Sequence, residues 1–154
     1  MDLEKYLYSR VLPIIKGWNE KNIYAISFFV YSNQANVYKG YENFPEFSVG
    51  YNTEEDCNYA SELSEERWNF AFWRQEMFEI ITPDDNDEGA KYLFDWYKEN
   101  GIENIGFEDY DEEMNYIGKG PVGYLELLKV VSNVARRLQL EGEIEVLQAK
   151  IGDA

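Results

Sequence analysis

The sequence predicts an α+β fold: an antiparallel sheet of about three to five strands packed by N-terminal, middle and C-terminal helices. Three observations predict it. Ile23 to Tyr31 is a run of β-branched and aromatic residues, apolar on both faces as in a central strand. Phe47-Ser48-Val49-Gly50-Tyr51 alternates with the period of a strand that buries one face. Apolar stripes at three- and four-residue steps flank these strands towards both ends of the chain.

The elements follow in order. Leu3, Tyr6, Leu7, Val11, Ile14, Ile15 and Trp18 form one stripe and predict a helix over 2–20. Pro13 lies inside it and is expected to kink or split it, because proline has no N–H to donate. Ile23 to Tyr31 is the central strand. Ser32-Asn33-Gln34 reads as a turn, and Ala35 to Tyr41 as a returning strand. Phe47 to Tyr51 is a third strand. Thr53, with Asp56 at capping-box spacing, predicts a short helix to about Ala60. Glu62 to Glu66 is an acidic connector.

The aromatic block Trp68 to Trp73 fits both periods and reads as a short helix, followed by a strand at Met77 to Ile81. Pro83 to Asp87 ends that strand and caps a helix over Glu88–Asn100, with Tyr92, Leu93, Trp96 and Tyr97 on one side. Asn100-Gly101 is its stop. Residues 102–118 form a long acidic loop. Pro121 is expected at the first position of a last helix. The stripe of that helix is Val122, Leu125, Leu128, Val131, Val134, Ala135 and Leu138, and Gly142 ends it. Residues 143–151 suit a short helix or a strand. With no repeat and no linker, residues 1–154 read as one domain.

Composition removes much chemistry. The 154 residues include no histidine and one cysteine, so a Ser-His-Asp triad, a Cys-His dyad, an internal disulfide and the usual structural zinc sites are excluded. A lone cysteine fits a reducing compartment, and the cytoplasm is the expected location. Aromatics at 17% exclude a disordered chain. No apolar run reaches membrane-spanning length, and Met1-Asp2-Leu3-Glu4 does not open like a secretory leader.

Charge is concentrated. The formal net charge is −16, yet residues 40–118 alone hold 22 acidic and 4 basic residues, a net −18. Such a field repels nucleic acid and anionic lipid and draws cationic partners. It also serves plain solubility.

Asp84, Asn86, Glu88 and Gly89 resemble the start of a calcium loop, but Lys91 stands where an apolar residue is wanted and Asp95 where a bidentate Glu is usual. Helix capping explains the same residues. The glycines at 118, 120 and 123 follow no strong strand and make no phosphate loop. Cys57 reads as a small core residue. No catalytic, cofactor-binding or metal-ligating residue is therefore assigned. A hydrolase working by carboxylates alone, with a metal recruited by Asp84, Asp87 or Glu88, is one alternative; a regulatory module that uses acidity only for solubility is another.

Two acidic groups are assigned to partner binding: Asp84, Asp85, Asp87 and Glu88, and the acidic-tyrosine run Glu108, Asp109, Tyr110, Asp111, Glu112, Glu113 and Tyr116. Tyrosine is an efficient interface anchor, and surrounding carboxylates steer a basic partner.

Three segments carry a resemblance: Tyr24 to Tyr31, then Val49-Gly50-Tyr51-Asn52-Thr53-Glu54-Glu55, then Glu66-Arg67-Trp68-Asn69-Phe70-Ala71-Phe72-Trp73. In that order they resemble a family of bacterial domains of unknown function, often placed among the immunity proteins of polymorphic toxin systems. The resemblance spans about residues 20–75 and brings no catalytic residues with it. It implies a cytoplasmic immunity protein that occludes a cognate toxin, with a basic nuclease as the candidate whose active site it would cover in place of nucleic-acid phosphates. The expected partner is thus a basic protein, not nucleic acid or membrane, and the aromatic-rich edges leave a homodimer open.

Overall fold

A computed structural model describes residues 1–32, 38–69, 73, 77–103, 105–142 and 149–151. Strand β1 (Ile23–Ser32) is central, as its two apolar faces require. Strand β2 (Pro45–Thr53) pairs with it antiparallel, setting Phe28 against Val49 and Tyr31 against Glu46. Strand β3 (Met77–Ile81) continues the antiparallel sheet on the far side of β2. Strand β4 (Ala149–Ile151) lies beside β1 but runs parallel to it, giving the order β3-β2-β1-β4.

Four helices complete the α+β architecture: α1 (Leu3–Lys16), α2 (Glu65–Trp68), α3 (Glu88–Glu99) and α4 (Gly123–Leu140). Side chains alternate along a strand, so each strand offers the core every second residue. Ile26, Phe28 and Val30 of β1 and Phe47, Val49 and Tyr51 of β2 are those residues. Against them pack Leu3, Leu7, Val11 and Ile15 of α1, Leu93 and Tyr97 of α3, and Leu127, Val131, Val134 and Leu138 of α4. Each fully buried aliphatic side chain contributes about 1.5–3 kcal/mol. The alternate positions are polar yet also buried: Ser27, Glu46, Ser48 and Asn52.

Several expectations change. Pro13 stays inside α1 without breaking it. Residues 33–34 of the expected turn and 35–37 of the expected returning strand lie outside the described residues, and Tyr38 to Gly40 form a turn closed by the Tyr41 N–H on the Tyr38 carbonyl. The antiparallel partner of β1 is β2 instead. Thr53 and Asp56 do exchange the capping-box bonds. No helix follows, because Asn58 and Tyr59 both turn to positive φ and close the chain into successive turns.

α2 begins before the aromatic block and covers only Trp68 of it; residues 70–72 and 74–76 lie outside the described set. Pro121 precedes the N-cap residue Val122 rather than opening α4. Residues 143–148 also lie outside, and 149–151 form a strand. The core stripe of α4 runs through Leu127 rather than Leu125, which is 48% exposed.

Candidate functional site

The loop from α3 to α4 is fixed at its base. The Ile105 N–H donates to the Gly40 carbonyl at 2.6 Å, and the Tyr41 hydroxyl to the Ile102 carbonyl at 2.6 Å. Asn43 Nδ2 donates to the Gly106 carbonyl at 3.2 Å. The chain then makes one 3-10 turn, Phe107–Asp109, with Asp109 Oδ2 accepting the Gly106 N–H at 2.7 Å.

Beyond that turn the loop folds back on itself. Tyr110 and Tyr116 form an antiparallel bridge. Asp111 holds the tip: Oδ1 accepts the N–H groups of Glu113 (2.9 Å) and Asn115 (2.8 Å), and Oδ2 accepts Asn115 Nδ2 at 3.3 Å. The backbone bond from Asn115 is the leading cause of an Asp111 carboxyl pKa below its ordinary value. Met114 takes φ 65° to close the tip, which aims its side chain outward.

This hairpin carries most of the second predicted group outward. Glu108, Glu112 and Glu113 are exposed, while Asp109 and Asp111 are half-buried. Among the described residues, none of these five pairs with a lysine or arginine. The Tyr110 and Tyr116 rings meet edge to face at 5.5 Å. Burial pushes both phenols above their ordinary pKa, so they stay neutral at physiological pH.

Beside the rings lies an open cleft of about 330 Å³. Tyr110, Met114, Asn115 and Tyr116 line it from the loop, and Tyr124 and Leu125 from the start of α4. Phe107 (50%), Met114 (63%) and Ile117 (62%) stand exposed on the same loop. The sequence reading missed these apolar positions. Leu125 fits the stripe expected of α4 at three-residue steps, whereas the helix buries 127, 131, 134 and 138.

The first predicted group sits elsewhere. Asp84, Asp85 and Asp87 precede α3 and Glu88 is its first residue, whereas the hairpin follows it. Asp84 Oδ1 accepts the Asn86 N–H at 2.8 Å. Asp87 Oδ2 accepts those of Thr82 (3.1 Å) and Ala90 (2.8 Å), as the N-cap of α3. Asp84 and Asp87 thus serve turn and helix cap. Among the described residues no three acidic or cysteine side chains are placed to hold a metal.

A second cluster joins the three segments of the family resemblance. Arg67 grips both Glu54 oxygens and the Ala60 carbonyl, and lies 4.3 Å over the Tyr24 ring. The Tyr24 hydroxyl donates to the Arg67 carbonyl at 2.7 Å and accepts Asn52 Nδ2 at 2.7 Å. Trp73 Nε1 donates to the same carbonyl at 2.9 Å, and the rings of Trp68 and Trp73 stand edge-on to Tyr24. Burial pushes the Tyr24 phenol up to about 12. Cys57 is buried beside the cluster, its thiol donating to the Glu54 carbonyl. Apart from Arg67 Nε, which is buried with no hydrogen-bond partner among the described residues, these polar groups bond to one another, and the cluster is a fastening.

Fold and site together define an α+β protein that presents an acidic, tyrosine-bearing hairpin beside an open cleft. Comparison with protein-family models, curated proteins and solved structures gives no match to this chain.

Proposed function

We propose that this chain is an acidic immunity-type protein that binds and occludes a basic protein toxin in the cytoplasm. One observation carries the reading: the hairpin of residues 107–117 is ordered by its own hydrogen bonds, while exposed Glu108, Glu112 and Glu113 pair with no lysine or arginine of the described residues and share the loop with exposed Met114, Ile117 and Phe107. Interfaces draw binding energy from a few apolar and aromatic anchors, and charge around them sets association rate and partner choice. A loop already ordered before contact loses less entropy on binding. The family resemblance supports the same reading.

The capping roles of Asp84 and Asp87 weigh against the carboxylate-hydrolase alternative. The test is co-expression with the product of the gene immediately upstream, followed by size-exclusion chromatography of the mixture. Rescue of growth with a co-eluting complex is the expected result. Full toxicity with no complex overturns the proposal.

A further inference from the structure

We propose that the cleft between the hairpin and the start of α4 is a subsite for an arginine side chain of the partner. The inference rests on the binding reading above and adds the chemistry of the contact.

The molecule shows twice how it holds a guanidinium. Arg67 lies 4.3 Å over Tyr24 and is gripped by Glu54. Arg137 lies 3.8 Å over Tyr8 and pairs with Glu141 at 3.1 Å. Each pocket combines a tyrosine face with a carboxylate, because the ring quadrupole and the anion both attract a planar, weakly hydrated cation.

Two tyrosine rings line the cleft, and one carboxylate, Asp109, stands next to Tyr116 just outside that lining, with no arginine of the described residues between them. Tyr110 and Tyr116 set two rings at 66° to each other. Asp109 stands beside Tyr116: its Oδ1 and the Tyr116 hydroxyl both lie within 3 Å of where a side chain on Gly118 would begin. Asp109 Oδ2 is taken by the Gly106 N–H, and Oδ1 has no hydrogen-bond donor among the described residues. Asn115 gives its amide nitrogen to Asp111, which leaves its carbonyl oxygen as an acceptor on the cleft wall. Met114 and Leu125 offer apolar wall for the aliphatic stem of an arginine. Lys119 meets the site through its backbone carbonyl, which accepts the Tyr116 hydroxyl at 3.1 Å.

The test is amide-resolved NMR titration of the whole protein with three peptides of equal length: triarginine, trilysine and tricitrulline. Triarginine is expected to give saturable shifts centred on Tyr110, Asn115, Tyr116 and Leu125, with trilysine at least several-fold weaker and tricitrulline silent. Tyr116→Ala is expected to weaken triarginine about ten-fold, and Tyr116→Phe, which keeps the ring, to bind nearly as wild type. Equal binding of triarginine and trilysine with shifts spread over all acidic surface overturns the subsite. So does undiminished binding in Tyr116→Ala. If the partner complex forms while the peptides fail, this subsite is wrong and the binding reading survives. If the peptides bind and no partner complex forms, the reverse holds.

Discussion

Arg67 meets Glu54 with both terminal guanidinium nitrogens, one on each carboxylate oxygen, while its backbone carbonyl takes hydrogen bonds from Tyr24 and Trp73. One residue thereby ties the end of β2, the strand β1 and the start of the aromatic block into one fastening. Arg67→Lys loses the paired geometry and the stacking over Tyr24, because an ammonium offers neither a plane nor a fork. A loss of about 1–2 kcal/mol is expected, and about 2–3 kcal/mol for Arg67→Ala, after allowance for the partial exposure of the pair. Urea midpoints measure both. A change below about 0.3 kcal/mol in either variant would mean that the cluster fastens nothing.

The same pair fixes a pH dependence. The hydrogen bonds from Arg67 hold the Glu54 carboxyl below its ordinary value. Its contribution to stability is therefore complete above the unfolded-state pKa of about 4.3, and is lost as pH falls through the lower folded-state value. Glu54→Gln is expected to be less stable than wild type at pH 7, with the gap closing between about pH 5 and pH 3. Urea melts across that range check it. A gap independent of pH would contradict the assignment.

Much of the fold was legible, and the misses have physical causes. β1, β2, β3, α1, α3 and α4 all follow from residue type and period, since each helix buries one clear stripe and the strands are β-branched, aromatic or alternating runs. The Thr53–Asp56 capping box formed without its helix, because a cap satisfies the first N–H groups and cannot propagate a helix when Asn58 and Tyr59 turn left-handed. Leu125 was counted into the α4 stripe because 125, 128 and 131 also step by three. The burial of Leu127 depends on what α4 packs against, and a single sequence does not carry that. Of the candidate site, the acids and tyrosines were visible as a run. Met114, Ile117 and Leu125 were not, since exposure of an apolar residue is a tertiary property. The convergence of Tyr24, Glu54 and Arg67 joins segments up to 43 residues apart and has no local periodicity to announce it.

Tyr97 is wholly buried, and its hydroxyl has no hydrogen-bond partner. Burial drives its phenol pKa well up, so the group stays neutral. An unpartnered buried hydroxyl carries a desolvation cost with no bond to offset it. Tyr97→Phe removes that oxygen and keeps the ring against Tyr41 and Phe44. The variant is expected to equal or exceed wild type by up to about 1 kcal/mol in urea denaturation. A loss greater than about 1 kcal/mol would reveal a partner, such as a bound water, that the hydroxyl needs.

Gly89 opens α3 directly against β3. A Cβ placed there would come 2.1 Å from the Ile80 carbonyl oxygen, a main-chain atom of β3. The helix must retreat from the strand to accept any side chain. Gly89→Ala is expected to cost about 2–3 kcal/mol despite the better helix propensity of alanine. Thermal unfolding would show it as a clear drop in Tm. A stabilised variant would mean that α3 slides freely over β3.

The order of the acidic hairpin depends on Asp111, whose carboxylate spans the tip and holds the Glu113 and Asn115 N–H groups. Asp111→Ala removes those acceptors, and nothing else described replaces them. Local opening should then separate from global unfolding, since of the hairpin only Tyr110 packs against the core cluster. The amides of Glu113 and Asn115 are expected to exchange with deuterium several-fold faster, while the slowest core amides keep their protection. Asp111→Asn retains one carbonyl acceptor and should fall between the two. Wild-type exchange at the tip in the alanine variant would show that the loop is ordered by other forces. The rigid presentation of Met114 and Tyr116, on which both binding proposals draw, would then need a different physical origin.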